Sequence, residues 1–248
     1  MSRPAAPLGA VAALASHELG LTARRGENIL VTIAIPAGAL VFFSTVAKVP
    51  GVAGPSVDFM LPGSLALAVI ASGLVSLGIV TAFERSYGVL KRLGGAPLPG
   101  WGLVAAKVAA VLALEVLQAA ILVAVAAVLG WRPSAELSLV VLAVALVLGT
   151  VAFTGLGLLL AGTLRAEATL AIANGLFLVL IMVGGVILPL DRLPAPIAAV
   201  AGVLPASALA ELFRAGLAGG ADIAGPVVVL VAWGAGAAGL TVRTFRWE

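Results

Sequence analysis

The 248-residue sequence has no cysteine, one histidine and one tyrosine, and only 10% of its residues are charged. Without cysteine there is no disulfide framework and no thiolate metal or redox centre. With His17 as the sole histidine, an intramembrane Ser-His pair or histidine metal set is unavailable, and His17 reads as a surface residue. No G-x-x-x-x-G-K-[ST] phosphate loop occurs, and Gly94-Gly95-Ala96-Pro97 lacks the Lys-Ser/Thr end that meets phosphate and magnesium. The chain is therefore expected not to be an enzyme, and to bind no cofactor or metal of its own. A soluble globule carries about 25% charged residues. The scarcity of charge here, with 62% hydrophobic residues and a mean hydropathy of +1.22, excludes water as the main solvent.

What is abundant is uninterrupted apolar sequence. A helix rises about 1.5 Å per residue, so crossing about 30 Å of hydrocarbon takes roughly 20 apolar residues. Six segments meet that length: Ile29 to Ala47, Leu61 to Ala82, Val108 to Leu129, Leu137 to Leu164, Ala168 to Leu190 and Gly225 to Val242. They lack the apolar/polar alternation of barrel strands, the only other structure that satisfies its backbone in lipid. The expected fold is an all-α polytopic membrane protein with six transmembrane helices in a single domain over residues 1–248. Its many glycines, among them Gly73, Gly78, Gly155 and Gly157, allow close helix packing.

Lys and Arg are retained on the cytoplasmic side of a membrane. With six spans, one side holds Arg3, Arg24, Arg25, Arg85, Lys91, Arg92, Lys107, Arg165, Arg243 and Arg246, and the other only Lys48, Arg132, Arg192 and Arg214. Both termini are thus expected in the cytoplasm. Eleven Arg against three Lys, with abundant Ala and Gly, point to a bacterial cell membrane. In residues 1–28, Leu8, Val11, Ala15, Leu19 and Thr22 fall near helical spacing, which reads as an interfacial amphipathic helix. The alternative, a cleaved signal peptide, is disfavoured because the residues before Leu8 offer one Arg and two prolines.

Residues 83–101 form the longest polar cytoplasmic segment. Phe83, Tyr87, Leu90 and Leu93 sit at helical spacing on one side, with Glu84, Arg85, Lys91 and Arg92 on the other, so a short amphipathic helix is expected. Gly94-Gly95, Pro97 and Pro99 end it. On the other side of the membrane, within residues 191–224, Ile197 to Leu204 and Ala206 to Leu217 are each too short to span, and Pro194, Pro196 and Pro205 break the stretch. Short re-entrant helices are expected, with Glu211 and Arg214 three apart on one face.

The run Phe83-Glu84-Arg85-Ser86-Tyr87-Gly88-Val89-Leu90-Lys91-Arg92-Leu93-Gly94-Gly95-Ala96-Pro97-Leu98 resembles the cytoplasmic signature between spans two and three of ABC type-2 transporter permeases. Leu188-Pro189-Leu190, Leu193-Pro194, Leu204-Pro205 and Ala210-Glu211-Leu212-Phe213-Arg214-Ala215-Gly216-Leu217 are similar to that family's external segment. The resemblance implies a separate cytoplasmic ATPase subunit that uses ATP and Mg, and a dimer with a second permease, identical or related. It also implies ATPase coupling through Glu84, Arg85, Tyr87, Gly88, Lys91 and Arg92. Spans one, two and five would line the pathway, which makes Phe42, Phe43, Phe177, Met182 and Val183 the candidate substrate contacts. The implied activity is export of a hydrophobic or amphiphilic substrate, such as a drug, a lipid or a lipid-linked molecule.

Three residues with carboxylate or amide side chains lie inside the spans. Glu115 is the sole intramembrane carboxylate and Gln118 lies one turn further on the same face; Asn174 is in span five. Such groups face a cavity or a partner. Glu115 reads either as a proton or substrate contact or as a structural hydrogen-bonding group. The second reading is preferred, because no second intramembrane acid completes a relay, and Asn174 reads likewise as a link between helices. The alternative functions are an ion-coupled secondary transporter using Glu115 and a non-transporting membrane scaffold. Inverted repeats and several buried charges, the marks of the former, are not evident.

Overall fold

The computed structural model describes residues 9, 13–16, 18–20, 26–46, 56–94, 100–187, 190–220 and 222–244, and the side chains of all of these but 26–31, 92–94, 100–101 and 191. His17, Arg24, Arg25, Pro97, Pro99, Leu188 and Pro189 lie outside the described residues, as do the side chains of Arg92 and Trp101. No strand occurs among the described residues, and the protein is an all-α polytopic membrane protein.

In chain order the helices are α1 (Gly26–Thr45), α2 (Ser56–Ser86), α3 (Val89–Gly94), α4 (Gly100–Val128), α5 (Leu139–Thr163), α6 (Ala166–Val183), α7 (Ala195–Ala201), α8 (Pro205–Ala218) and α9 (Ala224–Thr244). Helices α2, α4, α5, α6 and α9 are each long and apolar enough to cross a membrane, and α1 is a further apolar helix of 20 residues. The short pair α7 and α8 is bent by 77°, too sharply for a straight span. Pro205 opens α8 at its first turn, where a missing N–H costs nothing.

The helix termini follow local chemistry. Ser138 caps α5, its hydroxyl accepting from the Val141 N–H at 3.4 Å. Helix α6 ends at Val183, short of the expected Leu190, because Gly184-Gly185 turns the chain and Gly185 has φ +65°, where a side chain would be strained. Helix α4 starts at Gly100, before the expected Val108, because backbone hydrogen bonding continues past the apolar stretch and carries Lys107 within the helix.

Helix α2 is the hub of the bundle, with 78% of its most apolar stretch buried inside the protein, and it contacts α1, α4, α5, α6 and α8. By contrast α9 is 22% buried over its equivalent stretch and packs mainly on α5. Glycine makes the α2–α5 approach possible: a Cβ on Gly73 would lie 3.0 Å from the Thr154 nitrogen, and one on Gly78 would lie 3.1 Å from the Gly157 Cα. Where α2 passes this contact, residues Ala71–Ser76 form a π-helix, with the Leu77 N–H donating to the Ser72 carbonyl. Such wide turns interrupt an α-helix without breaking it.

Candidate functional site

At one end of the bundle three segments converge on the end of α2. Arg85 donates from Nη1 to the Gly162 carbonyl at 2.7 Å and from Nη2 to the Leu164 carbonyl. These carbonyls belong to the last turn of α5 and the residue that follows it, where helical partners run out and a cation is favoured. The Glu84 carboxylate accepts from Lys107 Nζ of α4 at 2.8 Å, and the same ammonium is 3.2 Å from Glu18 of the N-terminal helical stretch. Lys107 is 2% exposed, so the pairs are held away from bulk water, where ion pairs are screened least. Phe83 packs against Ala82, Ala161 and Ala166, and Leu90 is buried.

The chain then turns at Tyr87-Gly88, with Gly88 at φ +69°, and begins α3. Because this turn divides the segment, the faces expected of one continuous helix form only in part, with Phe83 and Leu90 turned inward as expected. Tyr87, expected with the apolar side chains, points outward at 72% exposure, beside exposed Val89 and Lys91. Glu84 and Arg85, expected with the exposed charges, instead tether the segment to α4 and α5. Spacing could not anticipate this: the partners are remote in sequence, and a single glycine resets the register.

A second feature is a lateral cleft of about 190 Å³ among α1, α2 and α6. Its lining includes Thr32 and Ile35 of α1, Ala71 and Ser76 of α2, and Asn174 and Phe177 of α6. It is mostly apolar, with the polar side chains of Thr32, Ser76 and Asn174 at its wall. Of the candidate substrate contacts, Phe177 lines it; Phe42, Phe43, Met182 and Val183 do not, and Phe42 and Met182 are exposed on the outer surface of the bundle. Asn174, expected to link helices, donates to the Leu170 carbonyl of its own helix at 2.8 Å. One turn of α6 absorbs its amide, which leaves the residue at the cleft.

Glu115 and Gln118 are both 1% exposed in the bundle interior. Thr150 of α5 donates to Glu115 Oε2, and Ser72 of α2 donates to Gln118 Oε1 at 3.0 Å. At the far end of the bundle, Arg214 of α8 donates to the Gly185 carbonyl and lies 4.7 Å from the centre of the Phe59 ring. Glu211 stays beyond ion-pair distance from it, although the two share a helix face, because the guanidinium is directed across to α2 and the α6 turn. Among the described residues, no three His, Asp or Glu side chains gather as a metal site would need.

A tethered segment at one end, bent short helices at the other and apolar spans between them are the parts of a permease, and the family model of the ABC-2 type transporter matches residues 10–218. The chain belongs to this family. No individual curated protein matches the chain. As an ABC-2 permease it is the transmembrane component of an ABC transporter rather than its catalytic ATPase, and the partner it works with is an ATPase subunit.

Proposed function

We propose that this permease forms a dimer with a second permease, identical or related, and exports a hydrophobic or amphiphilic molecule from a bacterial cell using two cytoplasmic ATPases that consume ATP and Mg. In this reading both termini and the α2–α3 turn face the cytoplasm, in keeping with the excess of Lys and Arg on that side. The observation that carries it is the two-sidedness of the segment around Gly88. Tyr87, Val89 and Lys91 are exposed on the outward side, where an ATPase would dock, while Glu84 and Arg85 connect the same segment to α4 and α5.

ATP-driven closure of the ATPases would displace the outward face, and the tethers would carry that displacement into the spans. A ligand shifts a conformational equilibrium only through its differential affinity for the two states. Here the nucleotide acts on the ATPases, and the tethered turn hands on the difference. The cargo would enter the cleft of α1, α2 and α6, whose polar residues Thr32, Ser76 and Asn174 lie in the cytoplasmic half of their helices. Short amphiphiles suit a mostly apolar cleft that opens sideways.

The test is co-purification of this permease with its ATPase in mild detergent, followed by hydrolysis and vesicle transport assays on wild type, Tyr87→Ala and Lys91→Glu. Reduced recovery of the ATPase with both variants, while the permease keeps its thermal stability, is the expected result. Full recovery and full transport by both would reject the docking face, and an intact complex without transport of any amphiphile would favour a scaffold.

A further inference from the structure

The interior junction of α2, α4 and α5 leaves two polar atoms unmet. Glu115 Oε1 and Gln118 Nε2 have no hydrogen-bond partner among the described residues, although both side chains are 1% exposed. Their other polar atoms are engaged, Glu115 Oε2 with Thr150 and Gln118 Oε1 with Ser72. Three residues apart on α4, the two side chains share one helix face. The partner helices meet beside them, since a Cβ on Gly73 would touch the Thr154 nitrogen at 3.0 Å, one residue after Ser72 and one turn after Thr150. An unmade hydrogen bond in such a place costs free energy that a bridging molecule recovers.

We infer that a single resident water occupies this junction, accepting from Gln118 Nε2 and donating to Glu115 Oε1. The unmet pair decides the ligand class. One atom is an amide donor and the other an oxygen acceptor, which a water satisfies together. A sodium ion would meet the oxygen and face the amide hydrogens, and its remaining ligands would have to include Gln118 Oε1, already taken by Ser72. A dry junction would leave both atoms orphaned. The bound water makes a continuous polar chain from Ser72 through Gln118 and Glu115 to Thr150, and it ties the π-turn of α2, to which Ser72 belongs, to α4 and α5. This inference does not depend on the transported cargo or on the ATPase docking face.

Cryo-electron microscopy of the complete transporter in lipid nanodiscs, at a resolution that shows other buried waters, is expected to reveal a density within hydrogen-bond distance of both atoms. An empty junction at that resolution overturns the proposal. Thermal unfolding gives an independent measure. Glu115→Met and Gln118→Met should each lower the melting temperature by several degrees, and the double variant by clearly less than the sum, because removing both ends removes the need for the bridge. Additive losses would argue against it. Exchange of sodium for choline at constant ionic strength should leave wild-type melting unchanged, whereas stabilisation specific to sodium would replace the water by a cation.

Discussion

Lys107 Nζ lies 2.8 Å from Glu84 Oε2 and joins the start of α4 to the end of α2 across a gap of 23 residues in sequence. Glu18 shares the same ammonium, so three segments at this end of the bundle meet at one cation. Lys107→Met keeps much of the packed stem and removes the charge, leaving two carboxylates without their cation. A hydrogen bond to a charged group is worth about 1.5–3 kcal/mol. The variant should melt earlier and hydrolyse ATP without transport, as read in parallel hydrolysis and transport assays. Transport at the wild-type ratio to hydrolysis would refute a coupling role for the pair.

Arg85 offers a narrower test, because its two nitrogens engage two separate carbonyls at the end of α5. Lysine keeps the charge and loses the fork. Arg85→Lys is expected to cost about 1 kcal/mol of stability and to lower coupling while ATPase binding persists. Equal melting of Arg85→Lys and wild type would show that charge near the helix end suffices.

Gly88 holds the turn at φ +69°, a conformation that costs roughly 1 kcal/mol or more with a side chain present. Gly88→Ala should leave insertion into the membrane intact and reduce ATPase-coupled transport, with Gly88→Asn closer to wild type because asparagine tolerates this region. Reversal of that order in a transport assay would show that the turn's conformation is not what matters.

Arg214 and Phe59 add a cation–π contact to the packing of α8 on α2 at the opposite end. A double-mutant cycle with Phe59→Leu and Arg214→Gln, followed by thermal unfolding, should give a coupling of about 0.5–2 kcal/mol, the range of cation–π contacts. Zero coupling would assign Arg214 to its Gly185 contact alone.

Apolar run length marked out helices α4, α5, α6 and α9 from the sequence, because lipid demands about 20 apolar residues of any helix that crosses it. The shortness of α7 and α8 was legible in the prolines at their starts, Pro194 and Pro196 for α7 and Pro205 for α8. The outward position of Tyr87 was not, since helical spacing assumes an unbroken helix and Gly88 breaks it. Nor was the tethering of Glu84 and Arg85, for Lys107, Gly162 and Leu164 come near only when the helices pack. The π-turn at Ala71–Ser76 left no trace in hydropathy either, as it shifts register without changing composition.

The enclosure of α2 also bears on how the protein is made. Helix α2 leaves the ribosome among the first, yet α5 and α8, which cover much of its surface, are synthesised long afterwards. During that interval Ser64, Ser72 and the glycine faces must wait in lipid or against the insertion machinery. Assembly of this permease is therefore completed from its C-terminal half, and a chain halted before Pro205 should leave α2 open to a lipid-phase cross-linker that the finished protein shuts out.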